Sequence, residues 1–313
     1  MCPHEGIAMK KDLISILDLS ESELEGLIAE AGRLKEQRLK NQPHELLKGK
    51  NLAMIFEKSS TRTRISFEVG MNELGGHALF LNAEDMQIGR GEEIRDTARV
   101  TSRYVSGVMI RAYRHETITD FARYSSVPVI NGLSDREHPC QLLADILTIK
   151  EHLGSTKGLK VAWVGDGDNV CNSFILASAI TGMEIVVATP AGYLPPEDIV
   201  SIARSRGGNV QIVDEPGKAV SDANVVVTDT WVSMGDESER EARLKAFRGF
   251  SVTAELIEEA ADDAIFMHCL PAHRGEEVTD EVIESPQSVV FDEAENRLHA
   301  QKAVLVRLLG GKE

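Results

Sequence analysis

The sequence predicts an α/β protein built from two doubly wound parallel-sheet domains that are joined by helices. Three observations lead to this fold class. Short apolar runs that suit buried strands alternate with segments in helical spacing. The alternation occurs in both halves of the chain, on either side of a helical segment at 138–153. With 313 residues and a hydrophobic content of 42%, the chain is large enough to form two cores.

The first half is expected to contain buried strands with helices between them. Strands are predicted at 51–56, 107–111 and 127–131, and helices at 96–104 and 117–124. A further helix is expected to follow the first strand. It would begin near the segment STRTR and run to about Leu74, before two glycines.

The joining segment at 138–153 has leucine and isoleucine in helical spacing and is followed by Gly154. A helix, rather than a flexible linker, therefore connects the halves. In the second half, strands are predicted at 160–165, 184–189, 209–213, 224–228 and 264–268, each followed by a polar turn. A last helix is predicted at 296–309, before Gly310 and Gly311.

Composition limits the classes of partner. The formal net charge of -16 argues against a nucleic-acid groove or an anionic membrane surface, so small molecules or other subunits are the expected partners. The chain contains no apolar stretch near the ~20 residues that span a bilayer, and its start lacks a signal-peptide pattern, which favours the cytoplasm. The cysteines are expected to be reduced, with no structural zinc; they are Cys2, Cys140, Cys171 and Cys269.

The segment SSTRTR at 59–64 is the strongest local signal for a ligand. Hydroxyls and exposed amides at a helix N-terminus bind phosphate, and an arginine adds charge-assisted hydrogen bonds. The alternative is a helix cap with solvated arginines. Arg111 ends a predicted strand and His138 opens the joining helix, so both are expected at the same sheet edge. A nucleotide is less attractive, because the chain has no GxxxxGK[ST] motif.

These residues resemble a known family. The segment STRTR at 60–64, with Arg111 and the motif HPxQ at 138–141, resembles the carbamoyl-phosphate site of the aspartate and ornithine carbamoyltransferases. The segment DTWVSMG at 229–235 looks like the SMG loop of the ornithine branch, and HCLP at 268–271 looks like its HCLP segment. The resemblance extends from about residue 8 to FDEAENR at 291–297.

The resemblance implies a site residue by residue. Arg111, His138, Cys269 and Asp229 would act in catalysis. The carbamoyl-phosphate pocket would be formed by Ser60, Thr61, Arg62, Thr63, Gln87, Arg111, His138, Gln141, Cys269, Leu270 and Arg297. Ornithine would be bound by Asn169, Asp229, Ser233 and Met234. Neither a cofactor nor a metal is expected, and the spacing of His268, Cys269 and His273 suits no ordinary closed ligand set.

The same resemblance implies an organisation for the whole molecule. Residues 1–150 would bind carbamoyl phosphate and residues 151–295 ornithine, with the helix at 296–313 packing back on the first domain. Gln87 lies in a long polar loop and would reach a neighbouring subunit's site, which implies a homotrimer, or a higher assembly of trimers, with shared active sites. Arg64 is expected to point away from the pocket and form an internal salt bridge.

Several alternatives remain at this stage. VGDGDN at 164–169 follows a strand and suggests a dinucleotide-dependent oxidoreductase, but Val170 stands where a third glycine belongs. A non-catalytic phosphate-binding protein is another possibility. Within the family, putrescine and N-acetylornithine enzymes are the rivals, and the SMG and HCLP segments argue against both. The direction of flux, making or degrading citrulline, cannot be read from the sequence.

Overall fold

A four-stranded parallel sheet organises the first half of the chain. The computed structural model describes residues 11–87, 91–233 and 237–310. The strands of this sheet are β1 (Asn51–Phe56), β2 (His77–Asn82), β3 (Gly107–Arg111) and β4 (Val129–Leu133), and they lie in the order β2-β1-β3-β4. The helices around it are α1 (Glu21–Leu39), α2 (Thr61–Glu73), α3 (Ile94–Thr101) and α4 (His115–Tyr124).

Helix α5 (Pro139–Leu153) leads to a second parallel sheet of five strands. These strands are β5 (Lys160–Val164), β6 (Glu184–Ala188), β7 (Asn209–Val213), β8 (Val225–Thr228) and β9 (Ile265–His268), in the order β7-β6-β5-β8-β9. The helices in this half are α6 (Asn169–Thr181), α7 (Glu197–Ser205), α8 (Pro216–Val220), α9 (Arg240–Ala246), α10 (Ala254–Ile257), α11 (Asp280–Ile283) and α12 (Val290–Leu309). Two parallel sheets with helices confirm the predicted fold class.

Several elements differ from the sequence prediction. Helix α1 was not predicted, and α3 spans Ile94–Thr101 rather than 96–104. Strand β4 begins after Pro128, which has no backbone N–H to donate, and not at Val127. Strand β2 was not predicted, because it is an edge strand with largely exposed side chains and lacks a buried apolar run. Helix α12 begins at Val290 rather than at 296, with Asp292 and Glu293 in its first turn, where acidic side chains are favourable.

Helix α5 is the central element of the molecule. Every residue from Pro139 to Ile149 is buried, and Gly154 ends the helix with a positive φ of 79°. One hydrophobic cluster includes residues of both sheets as well as α5 and α12. Residues at the start of α5 are therefore held rigidly between the two halves.

Helix α12 packs against the first half of the chain through ionic contacts as well as apolar ones. Lys302 is buried, and its Nζ lies 2.7 Å from Oε2 of Glu73 in α2. Arg307 pairs with Glu23 in α1. Among the described residues, none of the helices is long and apolar enough to cross a bilayer.

The strand orders place two chain reversals where a site can form. In the first sheet, the chain continues from β1 to β2 on one side and from the adjacent strand β3 to β4 on the other side. In the second sheet, it continues from β5 to β6 on one side and from the adjacent strand β8 to β9 on the other. Loops diverge after such strands and leave a crevice at the carboxyl edge of the sheet. The segment SSTRTR follows β1, Arg111 ends β3, Asn169 follows β5 and Asp229 follows β8.

Candidate active site

A cavity of about 500 Å³ lies where the carboxyl edges of the two sheets face each other. Residues from both halves of the chain line it. From the first half come the segment 58–63 and Arg111, and from the second half Asn169, Asp229 and the segment 269–271. Each of these contributions ends or follows a strand, which explains why residues distant in sequence meet here.

The start of α2 forms an anion-binding loop on the first side of the cavity. Ser60 caps the helix: its Oγ accepts a hydrogen bond from the backbone N–H of Thr63 at 3.3 Å and donates one to Thr63 Oγ1 at 3.1 Å. Thr61 and Arg62 are exposed in the first turn and line the cavity. The helix N-terminus and the Arg62 guanidinium together favour a phosphate group.

Arg111 is the last residue of β3 and is only 8% exposed. Burial, with the neighbouring charges of Arg297 and Arg62, lowers its pKa to about 10. The guanidinium still remains charged at neutral pH. Within the described residues its buried Nε has no hydrogen-bond partner, and Arg111 lines the cavity. Arg111 can therefore offer hydrogen bonds to an anionic ligand.

His138 stands at the N-cap of α5, where its backbone N–H donates to Ser173 Oγ at 2.8 Å. Its side chain is buried, and burial together with the charges of Arg297 and Arg111 holds its pKa well below the usual value. The imidazole is therefore neutral and carries one ring N–H. A neutral ring can donate a hydrogen bond to a carbonyl oxygen without adding a charge to a site already rich in arginine.

Gln141 and Arg297 connect α5 to α12 at the floor of the cavity. Arg297 Nη1 donates to Gln141 Oε1 at 2.6 Å, and Nη2 donates to Thr63 Oγ1 at 3.2 Å. Gln141 Nε2 in turn donates to Asp145 Oδ1 at 2.7 Å and to Glu293 Oε1 at 2.8 Å. Arg297 thus joins the phosphate loop to Gln141, with two acidic residues beneath them.

Polar groups of the second half form the opposite wall. Asn169 is the first residue of α6 and donates from Nδ2 to the backbone carbonyl of Ser134 at 2.5 Å. Asp229 Oδ1 accepts from the backbone N–H of Thr230 at 2.7 Å. Ser233 lines the same wall. A carboxylate, an amide and a hydroxyl can together bind the charged groups of an amino acid.

Cys269 lies beside Asp229 and is a thiol rather than a thiolate. Burial, reinforced by the negative charges of Asp229 and Glu293, raises its pKa well above the usual value. Its Sγ lies within 4.8 Å of a carboxylate oxygen of Asp229. Cys269 can therefore contact a ligand amine, but it does not supply a negative charge.

His268 holds the segment after β9 in place. Its Nδ1 accepts the backbone N–H of Leu270 at 2.9 Å, and its Nε2 lies 3.2 Å from Oε1 of Glu277. Leu270 has a positive φ of 57° and lines the cavity. Possible ligand atoms of Asp229, His268 and Cys269 lie within 4.8 Å of one another, but both nitrogens of His268 already have protein partners, which weakens a metal interpretation.

Nearly all the predicted site residues line this one cavity: Ser60, Thr61, Arg62, Thr63, Arg111, His138, Gln141, Asn169, Asp229, Ser233, Cys269, Leu270 and Arg297. Gln87 does not, and its side chain is exposed. Met234 lies outside the described residues. Arg64 points away as expected, with Nε 2.9 Å from Glu68 Oε1.

Sequence reasoning missed other residues around the cavity: Lys58, Ser59, Leu133, Val170, Thr230, Val232, Arg240, Pro271 and His273. Most of these adjoin a predicted site residue, so sequence proximity could have identified them. Lys58, Leu133, Arg240 and His273 are not next to a predicted residue. Arg240 reaches the cavity from the start of α9 and is paired with Glu276, a contact that depends on the tertiary fold.

Comparison with known proteins agrees with this geometry. A family model described as "Aspartate/ornithine carbamoyltransferase, carbamoyl-P binding domain" matches residues 11–151, and one described as "Aspartate/ornithine carbamoyltransferase, Asp/Orn binding domain" matches residues 157–308. The ornithine carbamoyltransferase of Methanoculleus marisnigri is 64% identical over 303 residues, which cover 97% of this chain and 98% of that protein. That of Methanocorpusculum labreanum is 62% identical over 301 residues, covering 96% and 99%.

A solved structure gives the same result in three dimensions. Ornithine carbamoyltransferase from Pyrococcus furiosus matches with a TM-score of 0.93 and 53% identity, covering 98% of this chain and 100% of that chain. Because the two family models span both halves and such relatives match nearly the full length, the chain belongs to the aspartate/ornithine carbamoyltransferase family.

Proposed function

We propose that the protein is an ornithine carbamoyltransferase, which transfers the carbamoyl group of carbamoyl phosphate to the side-chain amine of L-ornithine and forms L-citrulline and phosphate. One observation carries this proposal: the phosphate-binding loop at the start of α2 and the Asp229–Cys269 pair face the same cavity from opposite sides. We assign carbamoyl-phosphate binding to residues 1–150 and ornithine binding to 151–295, with α12 packing on the first domain.

The first half of the site would bind and activate carbamoyl phosphate. Ser60, Thr61 and Arg62 bind the phosphate, and Arg111 bridges the phosphate and the carbonyl oxygen. Thr63 and neutral His138 donate to that oxygen, on which negative charge develops as the amine attacks. Gln141 binds the carbamoyl amino group, Leu270 adds its backbone carbonyl, and Arg297 completes the pocket.

The second half would position the acceptor. Asn169, Asp229, Ser233 and Met234 bind the amino-acid end of ornithine, and Asp229 together with Cys269 also faces its side-chain amine. That amine must be neutral when it attacks. Its nitrogen forms a bond to the carbonyl carbon, the bond from that carbon to the phosphate oxygen breaks, and the nitrogen loses a proton as phosphate leaves.

The oxidoreductase alternative is disfavoured by the loop after β5. A Cβ atom added at Gly167 would lie 2.2 Å from the backbone nitrogen of Pro195. This glycine is therefore required by the close approach of the segment 194–195, which is a structural reason independent of a dinucleotide. Putrescine and N-acetylornithine are disfavoured by the SMG and HCLP segments.

We further propose a homotrimer with shared active sites, in which Gln87 completes the carbamoyl-phosphate pocket of a neighbour. Gln87 is exposed and lies outside the cavity of its own chain. Near it, the edge strand β2 exposes Leu79 and Phe80, and α2 exposes Ile65 at 55%. Edge strands with exposed apolar side chains are common interaction surfaces.

We also propose a cytoplasmic location. In the described part of the chain, Cys140, Cys171 and Cys269 are all free thiols, as expected of a reducing compartment. Both substrates are small polar molecules that need no membrane. Fractionation of the source cells, with citrulline-forming activity followed in each fraction, would test this location.

A citrulline assay with purified protein tests the function. Carbamoyl phosphate is supplied with ornithine, putrescine, N-acetylornithine or aspartate in parallel reactions. Ornithine should be the preferred acceptor by a wide margin, and faster carbamoylation of any other amine would overturn the acceptor assignment. Phosphate binding without turnover of any acceptor would instead support a non-catalytic phosphate-binding protein.

A further inference from the structure

Two buried acidic residues beneath the cavity have no role in the mechanism above. Asp145 on α5 and Glu293 on α12 are 1% and 2% exposed. Both accept a hydrogen bond from the same nitrogen, Gln141 Nε2, at 2.7 Å and 2.8 Å. With an oxygen of each within 2.8 Å of one nitrogen, the two carboxyl groups are close neighbours. Two carboxyl groups this close and this buried cannot both carry a charge at low cost.

The surroundings do not offset two negative charges. Burial raises the pKa of both carboxyl groups, and the negative charge of Asp229, in the loop after β8, raises each of them further. Arg297 from α12 favours the ionised form of Asp145. The pair as a unit therefore retains one proton and one negative charge at neutral pH.

Hydrogen-bond geometry indicates which residue carries that proton. Glu293 accepts N–H groups at both oxygens, Gln141 Nε2 at Oε1 and the backbone N–H of His268 at Oε2, at 2.9 Å. A lone pair of an oxygen that accepts an N–H hydrogen bond cannot also bind a proton. Asp145 Oδ1 accepts from Gln141, whereas Oδ2 receives no donor from the described residues. Of these four oxygens, Asp145 Oδ2 is therefore the best position for the proton.

We propose that Asp145 and Glu293 form a one-proton pair, with the proton on Asp145, which fixes the amide of Gln141 for carbamoyl recognition. This rests on the proposed function of the site. Both carboxyl groups of the pair accept a hydrogen bond from Gln141 Nε2. The amide oxygen Oε1 of Gln141 therefore remains able to accept from Arg297 and from the carbamoyl amino group. A flipped amide would direct Oε1 at the Glu293 carboxylate, which is repulsive.

Glu293 also connects the two halves of the site. The carboxylate that orients Gln141 accepts the backbone N–H of His268, which immediately precedes Cys269. The position of the carbamoyl amino group is therefore linked to the segment that faces the acceptor amine. Neither acidic residue lines the cavity, so both are positioning residues rather than catalytic ones.

The test compares Glu293→Gln with Asp145→Ala and Asp145→Asn, by calorimetric titration with carbamoyl phosphate and, separately, with inorganic phosphate. Asn mimics protonated Asp145, because its oxygen can accept from Gln141 and its NH₂ can donate to Glu293. In Glu293→Gln, the side-chain NH₂ must face either Gln141 Nε2 or the backbone N–H of His268, and both of these are donors. We expect Glu293→Gln and Asp145→Ala to bind carbamoyl phosphate at least about tenfold more weakly, and Asp145→Asn to restore most of the loss.

Inorganic phosphate is the discriminating probe, because it would occupy the loop at the start of α2 and not contact Gln141. Its affinity should be unchanged in all three variants. The proposal is overturned if Glu293→Gln binds carbamoyl phosphate normally, if Asp145→Asn is as weak as Asp145→Ala, or if phosphate affinity falls in parallel. Melting temperatures identify any variant that fails to fold, and a parallel loss in a folded variant also counts against the pair.

Failure of the proposed function gives a different result. Wild-type protein that binds carbamoyl phosphate but forms no citrulline would contradict the function, while the same titrations would still decide the role of the pair. Wild-type protein that binds inorganic phosphate but not carbamoyl phosphate would overturn both.

Discussion

The two arginines of the segment STRTR lie within one turn of α2 but have different roles. Arg62 lines the cavity, whereas Arg64 lies on the outer face of α2. The Arg64 guanidinium pairs with Glu68 and lies 3.9 Å from the centroid of the Phe80 ring. Residues two apart on a helix point in very different directions, so the repeated motif cannot place both side chains in one pocket.

Replacing Arg62 with alanine should remove most of the affinity for carbamoyl phosphate. Loss of a charge-assisted contact to a phosphate in a partly desolvated cavity costs at least about 2 kcal/mol, roughly 30-fold in affinity. Arg64→Ala is the matched control and should change the melting temperature more than the affinity. Calorimetric titration of both variants separates the two effects, and unchanged binding in Arg62→Ala would remove the basis for the phosphate loop.

At the scale of elements, the entry to α5 is held by a buried acid. Glu137 precedes the helix, and its Oε2 accepts the backbone N–H of Ile16 and the hydroxyl of Ser15, both at 3.0 Å. Glu137 therefore binds the N-terminal segment next to the site residue His138, which is the N-cap of α5. Burial raises the pKa of Glu137 to about 7.

This raised pKa predicts a pH dependence of stability. A carboxyl whose pKa is higher in the folded state contributes stability that is fully present below its unfolded pKa of about 4.3 and is lost as pH rises toward about 7. In Glu137→Gln the loss should be absent. Between pH 5 and pH 8, wild type should therefore lose on the order of 2 kcal/mol more free energy of unfolding than the variant.

Urea denaturation at several pH values measures this difference. The control is Glu258→Gln, at an exposed position, which should follow the wild-type pH dependence. Parallel curves for wild type and Glu137→Gln would show that Glu137 ionises at the same pH in the folded and unfolded chains.

A second buried ionisable group, Lys302, stabilises the packing of α12. Lys302 Nζ lies 2.7 Å from Glu73 Oε2 and 2.6 Å from His44 Nε2, and its side chain is fully buried. Lys302→Ala would leave Glu73 with Arg38 as its cation and would also create a cavity. We expect a loss of about 2–4 kcal/mol in the free energy of unfolding.

Lys218 provides the matched control, because its ion pairs with Asp214 and Glu215 are exposed. Lys218→Ala should have no measurable effect on urea denaturation. An equally small effect for Lys302→Ala would mean that apolar packing alone holds α12 in place.

At the scale of the whole molecule, the cavity is built from both halves of the chain but does not contain Gln87. Gln87 lies in the chain between edge strand β2 and α3, and β2 is part of the surface that we propose as the trimer interface. If a neighbouring subunit supplies Gln87, each active site requires residues from two chains.

Mixed trimers of Gln87→Ala and Arg62→Ala subunits test this arrangement. Neither homotrimer should be active, whereas a random mixture should regain activity in roughly a quarter of its sites, where an intact Arg62 pocket meets an intact Gln87 loop. The variants are refolded together, citrulline formation is measured, and subunit mixing is confirmed by mass. No recovery in confirmed mixed trimers would mean that each subunit works alone.

The sequence by itself determined the fold class and most of the candidate site. Buried parallel strands are apolar along their whole length, so β1, β3 and β5 stand out in the sequence. Arg111, at the end of β3, could be placed at the site because parallel strands bring their carboxyl ends to one edge, whereas Asp229 was identified through the resemblance of the segment 229–235 to a known family.

Only the tertiary structure decided the remaining features. None of the side chains of edge strand β2 is fully buried, so local hydrophobicity could not identify it. Asp145 and Glu293 read as ordinary acidic residues on helices, and their shared contact with Gln141 exists only because α5 and α12 pack together. The proton that we place between them follows from burial and proximity, which depend on residues more than a hundred positions apart.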